Sequence, residues 1–480
     1  MNGAVKPSPA VGAASVTGSS PAASTASPAP SPWPTFLLAS IAVFLVSLDS
    51  TVLFAAFGAV RAGFPAASSA DVSWVLNAYT VVYAALLVPA GRLADLHGRK
   101  RVFITGVLVF LLASLLCGLA PQVGWLIAAR VLQAVGAALL TPASLAIVLS
   151  AFPADKRAVA VSLWGAVSGL AAALGPSIGS LVVDKLGWPW AFYLNLPLGL
   201  FSVWRGAQVL RESRNPDNAA PLDVPGVLLL VIGVGAIALG IVRSEALGWR
   251  AGAVWGSVAA GVLALLAFTR WARHTPAPAI DLTLFKDRTY RFVNLATLSF
   301  GMAFAMMFFG FFFFMTKVWH YTLPQAGVAV TPGPLLVIPV AVLSGRWAAK
   351  HGHRGLLVGG SLVYALGGLW FWTMAGPTPD YLHTWLPGMF LTGTGVGMVL
   401  PALSGAAVAH LPPQRFGIGS AVNQAVRQVG AVMGVAFTVA LLGHEGLALA
   451  DFKWLYGSHI ALALVTALLC LPVRTGPRHR

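Results

Sequence analysis

Asp49 and Arg130 form a pair of opposite charges deep inside long apolar stretches of this sequence, and together they have the chemistry to hold or release a proton. A charge at the centre of a bilayer costs about 2.5–3.5 kcal/mol on insertion scales, so each needs a compensating role. At the rise of a helix, Asp49 lies about 21 Å above the start of the first apolar stretch. Arg130 lies in the fourth stretch, which runs the opposite way, and reaches about 20 Å in a core roughly 30 Å thick. The two charges therefore share a depth. Burial raises the proton affinity of such a carboxylate and a neighbouring guanidinium lowers it, which gives the pair two discrete states. The alternative is a permanent ion pair that only ties two helices. Gln133, one turn beyond Arg130 on the same face, either orients the guanidinium by hydrogen bonding or serves as packing glue.

A third buried charge, Arg427, stands among Asn423, Gln424 and Gln428, with the first two at i−4 and i−3 on its face. No acid of the second half is evidently deep enough to neutralise it, so this polar stripe either lines a cavity or joins helices. Candidate cavity residues are Asp49, Tyr79, Asn423, Arg427, Met306 and Phe308. The last two belong to a Met- and Phe-rich run, 302–314, that suits lipophilic ligands or faces lipid. Cys117 and Cys470 read as small apolar residues. No metal site has enough ligands, no cofactor is expected, and no nucleophile and base converge as an enzyme requires. A Gly-x-x-x-x-Gly-Lys-Ser/Thr segment for ATP is missing.

The elements that must position these residues are membrane helices. Apolar residues make up 58% of the 480-residue chain and charged residues 9%, against roughly 25% charged in a soluble domain. Apolar runs of membrane-spanning length fall at about 35–60, 72–91, 102–120, 123–149, 159–184, 190–212, 223–243, 251–272, 291–316, 326–347, 355–376, 384–410, 418–442 and 456–473. Fourteen spans put both termini on one side. Of the 30 Lys and Arg, 22 fall on that side, six on the other and two within spans, so the termini are expected to be cytoplasmic. The net charge of +16 is then mainly a topology signal with attraction to anionic lipid, and nucleic acid is not an expected partner. Residues 1–34, rich in Pro, Ala and Ser, read as a disordered cytoplasmic tail, and 474–480 as a short second one.

Between the second and third spans runs Gly91-Arg92-Leu93-Ala94-Asp95-Leu96-His97-Gly98-Arg99-Lys100-Arg101, a tight link carrying one acid and four fixed cations. Residues 345–354 repeat its Gly, Arg, Ala, His, Gly and terminal cation at matching offsets, with Ala349 in the place of Asp95. Such parallel repeats build two six-helix bundles around a central site. The expected division is an N-terminal bundle at 35–212, a linker with two extra spans at 213–285 and a C-terminal bundle at 286–473.

The 91–101 link resembles the signature loop of the major facilitator superfamily. Gly175-Pro176-x-x-Gly179 in the fifth span, with Gly169 a few turns earlier, resembles the antiporter signature of that superfamily. Leu48-Asp49-Ser50-Thr51-Val52, Trp74 to Tyr79, Arg130-Val131-Leu132-Gln133 and Gly187 to Pro197 resemble its fourteen-span drug:proton antiporter branch. The resemblance implies an all-α polytopic membrane protein of the major facilitator fold, with fourteen transmembrane helices. It implies a proton-driven exporter of amphipathic small molecules in the cytoplasmic membrane, with a monomer as the expected state. Asp49, Arg130 and Gln133 would couple protons, while Gly91, Asp95, Gly98 and Arg99 would form the conformational switch. Export of an endogenous metabolite fits an apolar cavity equally well. A non-transporting receptor or scaffold is the remaining alternative, and it would need no intramembrane Asp and Arg at matched depth.

Overall fold

The computed structural model of the chain describes residues 3, 31–153, 156–214, 222–411, 415–443 and 449–475. The tails expected at 1–34 and 474–480, and the linker residues 215–221, lie largely or wholly outside them. Among the described residues all regular structure is helical: α1 (Trp33–Gly63), α2 (Ser69–His97), α3 (Arg99–Gly118), α4 (Val123–Ala151), α5 (Arg157–Leu186), α6 (Trp190–Tyr193), α7 (Asn195–Val209), α8 (Val224–Leu247), α9 (Gly252–His274), α10 (Arg288–Lys317), α11 (Leu323–Val330), α12 (Pro332–His351), α13 (Arg354–Met374), α14 (Leu386–Val408), α15 (Phe416–Leu442) and α16 (Leu449–Cys470).

Thirteen of the resulting helices, with α11 and α12 counted as one, are long and apolar enough to cross a membrane. The sixth expected span, 190–212, is not one continuous helix. It divides at Leu194 into α6 and α7, because Pro197 has no N–H to donate to the Tyr193 carbonyl one turn back. The tenth expected span divides likewise at Thr331, where Pro332 and Pro334 withdraw two donors and the Thr331 N–H turns to the Val328 carbonyl at 3.2 Å. With the α6–α7 pair the spans number fourteen.

The helices associate as two groups of six spans plus a pair. In the first group α1 packs on α4, α5 and α7, and α4 packs on α2 and α3; in the second α10 packs on α15 and α16, and α14 on α12 and α13. The extra pair, α8 and α9, pack on each other, and α8 also lies against α2 and α15, one helix from each group. Leu108, Leu112, Leu263, Leu266, Leu343 and Leu468 are exposed on the outer surface, as a lipid-facing wall requires.

At the end of the molecule where α1 finishes, the groups interlock. Phe54 and Phe57 of α1 meet Phe308 and Phe309 of α10, with ring centroids 5.7 and 4.8 Å apart respectively. Ser177 of α5 hydrogen-bonds Thr331, and the Ser69 hydroxyl donates to the Gly443 carbonyl at 2.9 Å. That end is closed.

Candidate functional site

Asp49 sits on α1 with both carboxylate oxygens occupied. Oδ2 accepts from Arg130 Nη1 at 2.6 Å; Oδ1 accepts from Gln133 Nε2 at 2.9 Å and Asn195 Nδ2 at 3.0 Å. The three partners come from α4 and α7, so one carboxylate joins three helices. The i, i+3 spacing of Arg130 and Gln133 stacks them on one face of α4, and the guanidinium also donates to Gln133 Oε1. Arg130 Nε donates to the Val75 carbonyl at 2.9 Å, and its Cζ lies 4.0 Å from the centre of the Tyr79 ring. Ser114 of α3 completes the set by accepting from Gln133 at 2.9 Å and Asn195 at 3.3 Å.

Asp49 and Arg130 are each 1% exposed and Gln133 is fully buried, so water screens none of them. A buried ion pair is tolerable only when hydrogen bonds satisfy its remaining lone pairs and protons. Val75, Gln133 and Asn195 do that here, and Ser114 in turn holds Gln133 and Asn195. Chemically, the arrangement pairs an acid with a guanidinium out of reach of water.

Ser114 was not singled out by sequence reasoning, and Asn195 entered it only within the 187–197 resemblance. Neutral polar residues cost little inside a helix bundle, so their types alone carry no signal. The Asn195-Leu196-Pro197 break in the sixth span was the available clue.

At the other end of the molecule the 91–101 link is held by its own charges. Arg99 Nη2 and Nε donate to Asp95 Oδ1 at 2.8 and 3.0 Å, both side chains being about a quarter or less exposed. Gly98 ends α2 at φ +109°, a left-handed conformation that side chains resist, and a Cβ there would run into the Glu212 carboxylate. Glu212 Oε1 and Oε2 accept from the Lys100 and Arg101 N–H groups at 3.1 and 3.2 Å, so a residue just past α7 caps α3. Gly91 faces Pro142 of α4. In the second copy Gly352 ends α12 at φ +78° in the same way, and its N–H bonds the Ala348 carbonyl as that of Gly98 bonds Ala94.

Gly175 and Gly179 of α5 let α1 approach closely, since a Cβ at either would collide with Thr51 or Val52. Pro176 exposes its carbonyl to Gly327 of α11, and Gly169 faces Ile338 of α12. This stretch of α5 thus serves the contact between the groups.

The candidate cavity residues separate. Tyr79 borders a cavity of about 20 Å³, with Ser50, Phe54, Thr80, Arg130 and Ala431 among its neighbours, room for about one water. Phe308 and Met306 are 3% and 1% exposed and pack in the core at the α1–α10 seam. Asn423 donates to Asn294 Oδ1 at 3.1 Å and Thr297 Oγ1 at 2.8 Å, and so turns towards α10. Arg427 is half-buried, and among the described residues no carboxylate lies within ion-pair distance of it. No group of three His, Cys, Asp or Glu among the described residues has the arrangement of a metal site.

Known proteins share both the sequence and the architecture. The chain is 34% identical to the Cephamycin export protein CmcT of Amycolatopsis lactamdurans over 90% of its length and 88% of that protein's. It is 33% identical to the Puromycin resistance protein pur8 of Streptomyces alboniger, over 92% and 90%. The Multidrug transporter protein MdtP of Bacillus subtilis is 30% identical over 84% and 74%. Among solved structures, a bacterial homologue of the human drug peptide transporters PepT1 and PepT2 superposes with a TM-score of 0.65 at 14% identity, covering 92% of this chain and 98% of that one. The inward-open xylose transporter XylE from E. coli gives 0.62 at 13%, covering 94% and 98%, a likeness of fold. The family model for the Major Facilitator Superfamily matches residues 39–435 and 293–480, overlapping matches that span both helix groups. With two groups of six spans, an extra pair and a glycine-ended loop repeated in each group, the chain belongs to the major facilitator superfamily.

Proposed function

We propose that this protein exports amphipathic or lipophilic small molecules, drugs and antibiotics among them, across the cytoplasmic membrane in exchange for protons. The relatives named for cephamycin export, puromycin resistance and multidrug transport support the direction and the kind of cargo. The observation that carries the proton reading is Asp49, an acid withdrawn from water whose charge is held by Arg130, Gln133 and Asn195. A proton on Asp49 removes one half of the ion pair and releases Arg130, so protonation and the arrangement of α1, α4 and α7 are linked.

With both termini cytoplasmic, the closed end of the molecule is the outer one, and Asp49 is ionised while the inner side loads cargo. The bundles at 35–212 and 286–473 then rock about the central site, and the 213–285 pair rides at their junction. Asp95 and Arg99 steady one inner arrangement, while Gly169, Gly175, Pro176 and Gly179 form the sliding contact of α5. The protein acts as a monomer and performs no covalent chemistry.

Expression in an efflux-deficient bacterium tests this reading with puromycin as the probe. Wild type is expected to raise the inhibitory concentration severalfold, and Asp49→Asn, present in the membrane at equal amount, to give no protection. Equal protection by both would remove Asp49 from the mechanism.

A further inference from the structure

Arg427 carries a charge that no carboxylate among the described residues answers. It lies eleven residues into α15, about 17 Å along that helix, at the depth of the bilayer interior. Its backbone and stem press on Gly301 of α10, and the titratable group facing it is Tyr83 of α2. Tyr83 stacks on Tyr79 with ring centroids 5.8 Å apart, and Tyr79 lies beneath Arg130. The two buried arginines therefore stand at opposite ends of one tyrosine stack. Arg130 is neutralised by Asp49, whereas Arg427 has no ion-pair partner among the described residues and keeps part of its surface open.

We infer that Arg427 is the docking point for an anionic group on the exported molecule, so that carboxylate-, sulfonate- or phosphate-bearing amphiphiles are its preferred cargo. The inference rests on the export reading and names its substrate class. In this state Asp49 is not open to a cationic guest, because each of its oxygens already accepts from protein donors. The unpaired charge of the centre is positive. A guanidinium partly withdrawn from water gains most from a carboxylate or similar oxyanion, which its planar fork meets with two parallel hydrogen bonds. Ala431 and Val435, one and two turns beyond Arg427 on α15, border the small cavity beside Tyr79 and keep the continuation of this helix face apolar, as the body of an amphiphile requires.

The test is equilibrium binding of two xanthene dyes to the full chain in lipid nanodiscs, followed by fluorescence anisotropy against empty discs. Fluorescein carries the anionic charge and rhodamine 123, on the same ring system, a cationic one. Wild type is expected to bind fluorescein at least tenfold more tightly than rhodamine 123, Arg427→Gln to erase that preference, and Arg427→Lys to keep part of it. Lack of anion preference in wild type, its survival in Arg427→Gln, or its complete loss in Arg427→Lys would overturn the inference. No proton gradient enters this measurement, so the proton reading of Asp49 stands or falls separately.

Discussion

Asp49 gains its role from what surrounds it as much as from its own carboxyl. Three donors from two other helices converge on two oxygens, so Oδ2 depends on Arg130 alone while Gln133 and Asn195 share Oδ1. Removing either charge should therefore destabilise the protein, since Arg130→Met strands a buried carboxylate and Asp49→Asn a buried guanidinium, at a cost of about 3–5 kcal/mol each, and thermal unfolding in detergent should show both variants as less stable than wild type. Asn195→Ala removes a neutral donor and should cost about 1–3 kcal/mol while altering the pH dependence of transport, since the ionised form of Asp49 loses one hydrogen bond. An unchanged pH profile would reduce Asn195 to a packing residue. The acid, the arginine and Gln133 were legible in the sequence because a charge inside an apolar run is rare and its depth follows from helical rise. Ser114 and Asn195 were not, because many small polar residues occupy helix interfaces and only the fold says which four meet.

At the scale of elements, proline decides where two spans break and glycine decides where two helices end. Pro197 and Pro332 stand in the sequence within the sixth and tenth expected spans, yet hydropathy alone runs smoothly through them; the lost hydrogen bonds, not any loss of apolarity, divide the helices. The cap that Glu212 places on α3 was equally hidden, because it joins residues more than a hundred positions apart. Glu212→Gln keeps the shape and weakens the charge-assisted bonds to Lys100 and Arg101, so hydrogen exchange at the start of α3 should quicken. Gly98→Ala should be the harsher change, with strain from φ +109° added to collision with Glu212. A contact at the α12–α13 link should respond to pH. His353, between α12 and α13, bonds Thr475 through its N–H at 2.8 Å, and burial lowers the pKa of its imidazole below the usual value. The unfolded chain then takes up that proton first as pH falls, so the local stability is full well above pH 6.5 and declines below it. His353→Gln should flatten that decline in thermal unfolding measured across pH 5 to pH 7.

For the whole molecule, the fold follows from a small set of causes. Fourteen apolar spans must satisfy every backbone group internally, which leaves helices; the repeated loop at 91–101 and 345–354 signals two related halves; and α8 with α9 fills the remaining pair. The packing of α8 against both α2 and α15 was beyond the reach of the sequence, because lipid-facing and protein-facing apolar surfaces are written in the same residues. The closure of one end by Phe54, Phe57, Phe308 and Phe309 was hidden for the same reason. In an alternating cycle that seam must open, so Phe309→Ala should favour outward opening and raise the labelling of a cysteine placed beside it in α1. On the proposed export reading the ion pair at Asp49 and the seam belong to one conformational step, and linkage then requires that cargo favouring the closed-outer state expel the proton from Asp49. The most direct test is proton release from energised inside-out vesicles, read by a pH-sensitive dye as a panel of lipophilic cations, anionic amphiphiles and neutral antibiotics is added. The account predicts compound-dependent proton release from wild-type vesicles and none from Asp49→Asn; release of equal size from both would contradict it.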